Sequence, residues 1–143
     1  MSVTTTTHLN FRGQARAALE HYASVFGGEV TAFTFAQGGG EREAADGAVP
    51  DEIIWGGVQA PNGFSVMAFD VPPKRAYDPG TDALYVSVRG TEAAEITRCF
   101  EGLAEGGTVR AALGPAGFST LYGMVTDRFG VTWVLDVVAP YAG

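Results

Sequence analysis

Hydrophobic and polar positions along the chain follow two periods, and these appear in the same order twice. In short segments apolar residues alternate with polar ones, which is the period of a half-buried strand. In two longer segments they recur every three or four residues, which is the period of an amphipathic helix. Each half of the sequence presents a strand, a helix and three further strands. The pattern therefore predicts an α+β fold built from two βαβββ modules.

The first module is predicted to occupy residues 1–71. Its predicted elements are a strand at 4–11, a helix at 14–26, a strand at 29–35, and a hairpin with arms at 52–59 and 64–71. The apolar stripe of the helix consists of Ala15, Ala18, Leu19, Tyr22, Val25 and Phe26. Gly27 and Gly28 are expected to end this helix with a left-handed cap. Residues 37–51 are rich in glycine, alanine and charge, and they predict a mobile loop.

A linker at 72–81 and a second module at 82–143 complete the predicted domain. Pro72, Pro73 and the Pro79-Gly80 pair exclude regular structure from the linker. The second module is predicted as a strand at 83–88, a helix capped by Thr91, a strand at 108–113, a turn at 114–115, and a hairpin with arms at 118–126 and 131–138. The predicted buried stripe of its helix is Ile96, Cys99, Phe100, Leu103 and Ala104.

An internal repeat supports the duplication. Residues 122–134 align without a gap with residues 55–67, and the shared positions are Trp55 with Tyr122, Gly56 with Gly123, Val58 with Val125, and Gly63 with Gly130. A repeat of this length indicates a duplicated folding unit. We expect both modules to form one domain of 143 residues, a curved mixed sheet with helices on its outer face and a cavity inside.

Composition narrows the classes of partner. The formal charge is −7 without a cluster of Lys and Arg, which argues against nucleic acid as a partner. No apolar run approaches the roughly 20 residues that span a bilayer, so no membrane partner is expected. Cys99 is the single cysteine, so no internal disulfide can form. The first residues lack the pattern of a signal peptide, and we expect a cytoplasmic protein.

Three stretches then carry a resemblance to a known family. Residues 9–13, 21–30 and 122–133 resemble the PhnB-like branch of the vicinal oxygen chelate superfamily. That superfamily includes glyoxalases, bleomycin-resistance proteins and extradiol dioxygenases, and members of the branch are sometimes labelled as a 3-demethylubiquinone methyltransferase domain. The resemblance implies the glyoxalase/bleomycin resistance-like fold and a homodimer. Function varies widely within such a fold and has to be argued from the site.

The resemblance also implies where a metal would bind. Superfamily enzymes hold a divalent ion at positions that fall here on His8, Met67, Ala83 and Val134. Only His8 has a side chain that binds such an ion, so we expect neither the usual metal site nor another cofactor. A displaced set would be His8 with Asp136 and a carboxylate from the glycine-rich loop.

Further polar and aromatic residues share the predicted cavity face. The candidate ligand-binding residues are His8, Asn10, Trp55, Met67, Tyr85, Tyr122, Val134 and Asp136. The polar members would supply the few convergent groups of a ligand pocket, or they would satisfy one another or line a dimer seam. An aromatic wall for a flat ligand, or alternatively part of an ordinary core, would be formed by Trp55, Met67, Phe69, Phe118 and Tyr122. His8 would act as a base or ligand-binding group, or as a strand histidine that is simply hydrogen-bonded.

Three hypotheses about function follow. The first is a protein that binds a small organic molecule in its cavity without a metal. The second is a metal-dependent enzyme of glyoxalase, dioxygenase or transferase type that uses a displaced metal, or an acid–base pair such as His8 with Asp136. The third is an interaction protein whose cavity is filled by side chains.

Overall fold

The computed structural model describes residues 2–138, and the chain divides into two compact units, Met1–Pro79 and Gly80–Gly143. Each unit contains one four-stranded mixed sheet, and four helices occur within the described residues. The fold is therefore α+β, of the glyoxalase/bleomycin resistance-like type that the sequence predicts. No helix within residues 2–138 is long and apolar enough to cross a membrane.

The first unit contains four strands, one long helix and two short ones. Its elements in chain order are β1 (His8–Phe11), α1 (Ala15–Phe26), β2 (Glu29–Thr34), α2 (Phe35–Gly38), α3 (Glu41–Ala45), β3 (Ile53–Gln59) and β4 (Ser65–Asp70). The spatial order of the strands is β1-β4-β3-β2. Strand β1 runs parallel to β4, whereas the other neighbours are antiparallel.

The second unit repeats this arrangement. Its elements are β5 (Val86–Gly90), α4 (Ala93–Ala104), β6 (Thr108–Ala116), β7 (Ser119–Thr126) and β8 (Thr132–Val137). The strand order is β5-β8-β7-β6, and β5 runs parallel to β8. Both units thus have the same strand order and the same pairing directions, which confirms the predicted pair of βαβββ modules.

In each unit the long helix lies against its own sheet at a glycine. A Cβ at Gly56 of β3 would lie 2.5 Å from Leu19 of α1, and one at Gly123 of β7 would lie 2.8 Å from Phe100 of α4. Most residues of the two predicted helix stripes are buried, namely Ala15, Ala18, Leu19, Tyr22, Phe26, Ile96, Cys99, Phe100 and Leu103. The glycines leave room for these side chains, and the two helix stripes are confirmed except at Val25 and Ala104, which are half-buried.

Strand alternation then separates the two faces of each sheet. The residues on the helix side are apolar and buried, including Phe11, Val58, Val66 and Ala68 in the first unit and Val125, Trp133 and Leu135 in the second. Their neighbours along each strand lie on the opposite side. We call these opposite sides the first distal face and the second distal face.

Two buried carboxylates fix the connections. Asp70, at the end of β4, accepts hydrogen bonds from the backbone N–H groups of Gly13 (2.7 Å), Ala15 (3.0 Å) and Ile53 (3.0 Å). It therefore joins the start of α1 to β3 and β4. Charge-assisted bonds of this kind satisfy N–H groups that a helix start leaves without partners.

Asp127 is the second buried carboxylate, and it stabilises the turn between β7 and β8. Its carboxylate accepts from the N–H groups of Phe129 (2.9 Å) and Val131 (3.0 Å) and from the indole Nε1 of Trp133 (2.8 Å). Gly130 completes the turn with a positive φ of 89°, a conformation that glycine adopts without steric cost.

The predicted loop at 37–51 is partly helical, which corrects the prediction. The Thr34 side chain accepts from the N–H of Gln37 (3.3 Å), and the Gln37 side chain accepts from the N–H of Thr34 (2.9 Å). This capping box starts α2. Similarly, the Glu43 carboxylate accepts from the N–H of Gly40 (3.0 Å) at the start of α3. Charged and small residues there build short helices rather than an irregular loop throughout.

The first strand also begins later than predicted. The ladder of β1 with β4 starts at the pair His8 and Met67, so the threonines before His8 precede the strand. Their β-branched side chains favour an extended backbone. A strand, however, requires a neighbour as well as a propensity.

In the second unit, three predictions are wrong. Strand β5 starts at Val86, so Ala83, Leu84 and Tyr85 precede it, and Leu84 is 90% exposed. Helix α4 begins after Glu92 without a side-chain cap, so Thr91 does not cap it. Strand β6 continues through the predicted turn at 114–115 by means of register shifts. It lies at the edge of its sheet, where a proline is tolerated.

Alanine at either contact glycine is expected to destabilise the fold. Gly56→Ala and Gly123→Ala each place a methyl group against a helix side chain, and overpacking of this kind lowers the free energy of unfolding by about 1–3 kcal/mol. Urea denaturation measures the effect. Gly114→Ala is the control, because a Cβ on this strand glycine meets no atom within 4 Å. Equal losses in all three variants would contradict the close contact between helix and sheet.

Candidate functional site

The first distal face combines aromatic rings with one pair of polar side chains. Its members, one or two from each strand, are Phe33, Trp55, Met67, Phe69, His8 and Asn10. His8 is exposed, and its Nδ1 lies 3.0 Å from Oδ1 of Asn10. The imidazole also meets the edge of Phe69, with ring centroids 5.3 Å apart. Four of these six residues, His8, Asn10, Trp55 and Met67, are candidate ligand-binding residues of the sequence, and the fold brings them together on one face.

Trp55 is the centre of the aromatic part of this face. Its side chain is 38% exposed, and its Nε1 donates to Sδ of Met67 at 3.3 Å. Phe33, which is 50% exposed, lies beside it with ring centroids 6.1 Å apart. Gly57 lies next to the indole on this face, because a Cβ there would be in van der Waals contact with the Trp55 ring at 3.5 Å. The rings of this face are therefore accessible and oriented by their neighbours.

The segment at 72–77 supports the polar end of the face. The Tyr77 hydroxyl donates to the backbone oxygen of Asn10 at 3.1 Å. The Arg12 guanidinium lies 5.1 Å from the centre of the Tyr77 ring and donates to the carbonyl oxygens of Pro72 and Arg75. Arg75 in turn pairs with Asp46 at 2.8 Å. These contacts connect the segment to both β1 and the end of α3, and the bond from Tyr77 fixes the backbone of Asn10.

The second distal face has a different character, because an ion pair occupies it. Asp136 is 6% exposed, and its carboxylate accepts from Arg89 at 3.2–3.4 Å. Arg89 and Asp136 are partners in the ladder of β5 with β8. On the same face Tyr122 is half-buried and meets the ring of Phe118 edge-on, with centroids 5.2 Å apart. Tyr122 and Asp136 are candidate residues of the sequence, whereas Arg89 is not among them, because the predicted fifth strand ends at residue 88 and the observed one ends at Gly90.

Tyr85 lies just outside β5 in a separate polar group. Asp82 pairs with Arg110 at 2.6 Å, and the Arg110 guanidinium lies 5.7 Å from the centre of the Tyr85 ring. The hydrogen bond from Arg110 lowers the pKa of the Asp82 carboxyl. These contacts occupy Tyr85 locally, and the residue is 40% exposed.

Cys99 is a buried residue of the second unit. It is buried on α4, and burial raises the pKa of its thiol. Because the thiolate is the reactive form, the structure favours a packing role over a nucleophile.

The side chains at the positions implied for a metal do not suit one. His8 and Met67 are ladder partners in the first unit, and the corresponding partners in the second unit are Ser87 and Val134. Ser87 thus takes the position that the sequence analysis assigned to Ala83, which precedes the strand. A thioether, a hydroxyl and an aliphatic side chain are poor ligands for hard or borderline divalent ions. Within residues 2–138, no three His, Cys, Asp or Glu side chains are grouped closely enough to hold one.

His8 and Asp136, the acid–base pair considered from the sequence, each form a hydrogen bond or ion pair with a different residue. His8, in the first unit, is hydrogen-bonded to Asn10, and Asp136, in the second, is held by Arg89. Val134 is half-buried on the second distal face, between Ser87 and Met124 in the sheet. Whether any of the eight candidate residues contacts a ligand stays a prediction.

Comparisons with known proteins give a consistent family. The family model described as 3-demethylubiquinone-9 3-methyltransferase matches residues 3–136. Protein PA1353 from Pseudomonas aeruginosa is 31% identical in sequence to this chain, and its crystal structure matches with a TM-score of 0.82. The match covers 96% of this chain and 98% of that chain. The PhnB protein from Bacillus cereus is 27% identical with a TM-score of 0.76, over 95% of this chain and 100% of that chain.

A more distant structure shares the fold alone. The glyoxylase/bleomycin resistance protein/dioxygenase domain from Frankia sp. is 14% identical with a TM-score of 0.66, and the match covers 97% of this chain and 99% of that chain. No curated protein matches the chain in sequence.

Removing Arg89 is expected to cost more than neutralising its partner. Arg89→Ala leaves the Asp136 carboxylate, whose side chain is 9% exposed, without its guanidinium, and we expect the free energy of unfolding to fall by about 1–3 kcal/mol. Adding Asp136→Asn removes the uncompensated charge and should recover part of this loss. Denaturant melts of the wild type, both single variants and the double variant measure it. A double variant no more stable than Arg89→Ala would contradict the pairing.

Proposed function

Because the chain belongs to the PhnB-like branch of the vicinal oxygen chelate superfamily, we propose that it binds a small organic molecule on the first distal face, without the superfamily's metal centre. The observation that carries the proposal is the accessible aromatic surface of Trp55 and Phe33 beside the His8–Asn10 pair. Ligand sites typically combine apolar walls with a few placed polar groups.

The chemistry of the face supports binding rather than metal-assisted catalysis. Aromatic rings and a thioether make favourable contacts with apolar or flat molecules through dispersion and ring stacking. His8 is the one side chain at the implied metal positions that can bind a divalent ion, and within residues 2–138 no group of three His, Cys, Asp or Glu side chains is close enough together to hold one. The metal-dependent alternative would need ligands brought from elsewhere.

We further propose that the protein is a cytoplasmic homodimer. Large apolar side chains of the second unit are exposed in the single chain, notably Leu84 at 90% and Phe118 at 65%. Exposed apolar surface of this kind supports association, and the family resemblance implies a second copy of the same chain as the partner.

The test is a screen of small organic compounds by ligand-observed NMR and thermal shift. For compounds that bind, Trp55→Ala should weaken the affinity about tenfold, because an aromatic contact contributes roughly 0.5–1.5 kcal/mol beyond the area it buries. Val109→Ala is the control, since it shortens an exposed apolar side chain of the second unit (48% exposed) that the dimer proposal does not use, and it should leave affinity unchanged.

Two results would contradict the proposed site. The first is a screen in which no compound stabilises the protein. The second is a set of compounds whose affinity is unaffected by Trp55→Ala, which would move the site away from the first distal face.

A further inference from the structure

The hydrogen bond between His8 and Asn10 determines what His8 can offer to a ligand. The atom facing Nδ1 is the amide oxygen Oδ1, at 3.0 Å, and an amide oxygen only accepts. The neutral imidazole therefore carries its proton on Nδ1, so Nε2 has the lone pair. His8 is exposed, so this acceptor is accessible to a bound molecule.

Asn10 is itself held in place. It lies on β1 opposite Phe69, and its backbone oxygen accepts from the hydroxyl of Tyr77 at 3.1 Å. The Arg12 guanidinium lies over the same tyrosine ring. Tyr77 is thus a positioning residue that fixes Asn10, and Asn10 fixes the imidazole.

The remaining side chains of the face limit the class of ligand. Phe33, Trp55, Met67 and Phe69 carry no charge, and the Trp55 N–H is donated to the sulfur of Met67. Arg12 directly follows β1, and its guanidinium donates hydrogen bonds to carbonyl oxygens of the 72–77 segment. A charged ligand would lose hydration on this face without gaining an ion partner.

We infer that His8, oriented by Asn10, presents Nε2 as a hydrogen-bond acceptor, and that the ligand is a neutral planar ring compound with an O–H or N–H donor at its edge. This inference rests on the proposed function, since it names the ligand class of the same face. The ring lies against Trp55 and Phe33, and the donor points to His8. A ligand lacking the donor leaves the acceptor without a partner, which costs about tenfold in affinity.

Imidazole nitrogen spectra test the first half without any ligand. In ¹⁵N-labelled protein at a pH where the ring is neutral, the His8 signals should show protonated Nδ1 and unprotonated Nε2. Asn10→Ala should bring the two tautomers closer to equal, and Tyr77→Phe should do so to a smaller extent. A His8 ring protonated mainly on Nε2 in the wild type would overturn the inference.

Matched probes test the second half. Indole and benzofuran have nearly the same shape, but only indole has an N–H donor, and 2-naphthol and 2-fluoronaphthalene form a similar pair. We expect the donor-bearing member to bind about tenfold more tightly, and His8→Phe, which keeps a ring but removes Nε2, to abolish the difference.

The outcomes separate the two claims. Equal affinities within both pairs, lowered by Trp55→Ala, would overturn the acceptor role of His8 and leave the proposed function standing. Absence of binding by all four probes would contradict the proposed function and this inference together.

Discussion

The close contact between each helix and its own sheet is the constraint on which the rest of the structure depends. Leu19 approaches Gly56 in one unit, and Phe100 approaches Gly123 in the other. A larger residue at either glycine would push the helix away or force the strand to shift. Because strand side chains alternate, this contact also decides which residues of every paired strand face away from the helix. His8, Asn10 and Trp55 owe their common face to it.

The two units keep the same topology but have different chemistry on their distal faces. By ladder position, His8 and Asn10 of β1 correspond to Ser87 and Arg89 of β5. The first pair is a neutral hydrogen bond beside accessible rings, whereas Arg89 is part of an ion pair with Asp136. A carboxylate held by a guanidinium is a stable local arrangement that needs no ligand. The asymmetry is the reason to place binding in the first unit.

Much of this architecture could be predicted from the sequence, because the strongest signals are periodic. The stripes containing Leu19 and Phe100 and the repeated glycines at 56 and 123 identify both helices and both hairpins. Element starts were less accurate, since a strand begins where its neighbour begins. The alternation at Leu84 is real in sequence, but the ladder with β8 starts only at Val86. The capping box of Thr34 and Gln37 was a readable signal that the local glycine content obscured.

The site was harder to predict than the fold, because hydrogen-bond partners distant in sequence cannot be read from periodicity. Tyr77, in the connection after β4, forms a hydrogen bond with the backbone of Asn10, and no local sequence pattern predicts that bond. The sequence places Asp136 among the polar residues of the predicted cavity face, but its partner Arg89 follows only from the register of β5. The same register replaces Ala83 by Ser87 at the implied metal position, and neither side chain makes that position a good ligand.

Metal analysis tests the central claim, that a sheet face with the superfamily's topology binds its ligand without the superfamily's ion. The protein would be purified from cells grown with added zinc, manganese, iron and nickel, alongside His8→Ala, and the metal content measured by elemental analysis. Far less than one equivalent of any metal is expected in both proteins. One equivalent in the wild type that disappears in His8→Ala would contradict the central claim.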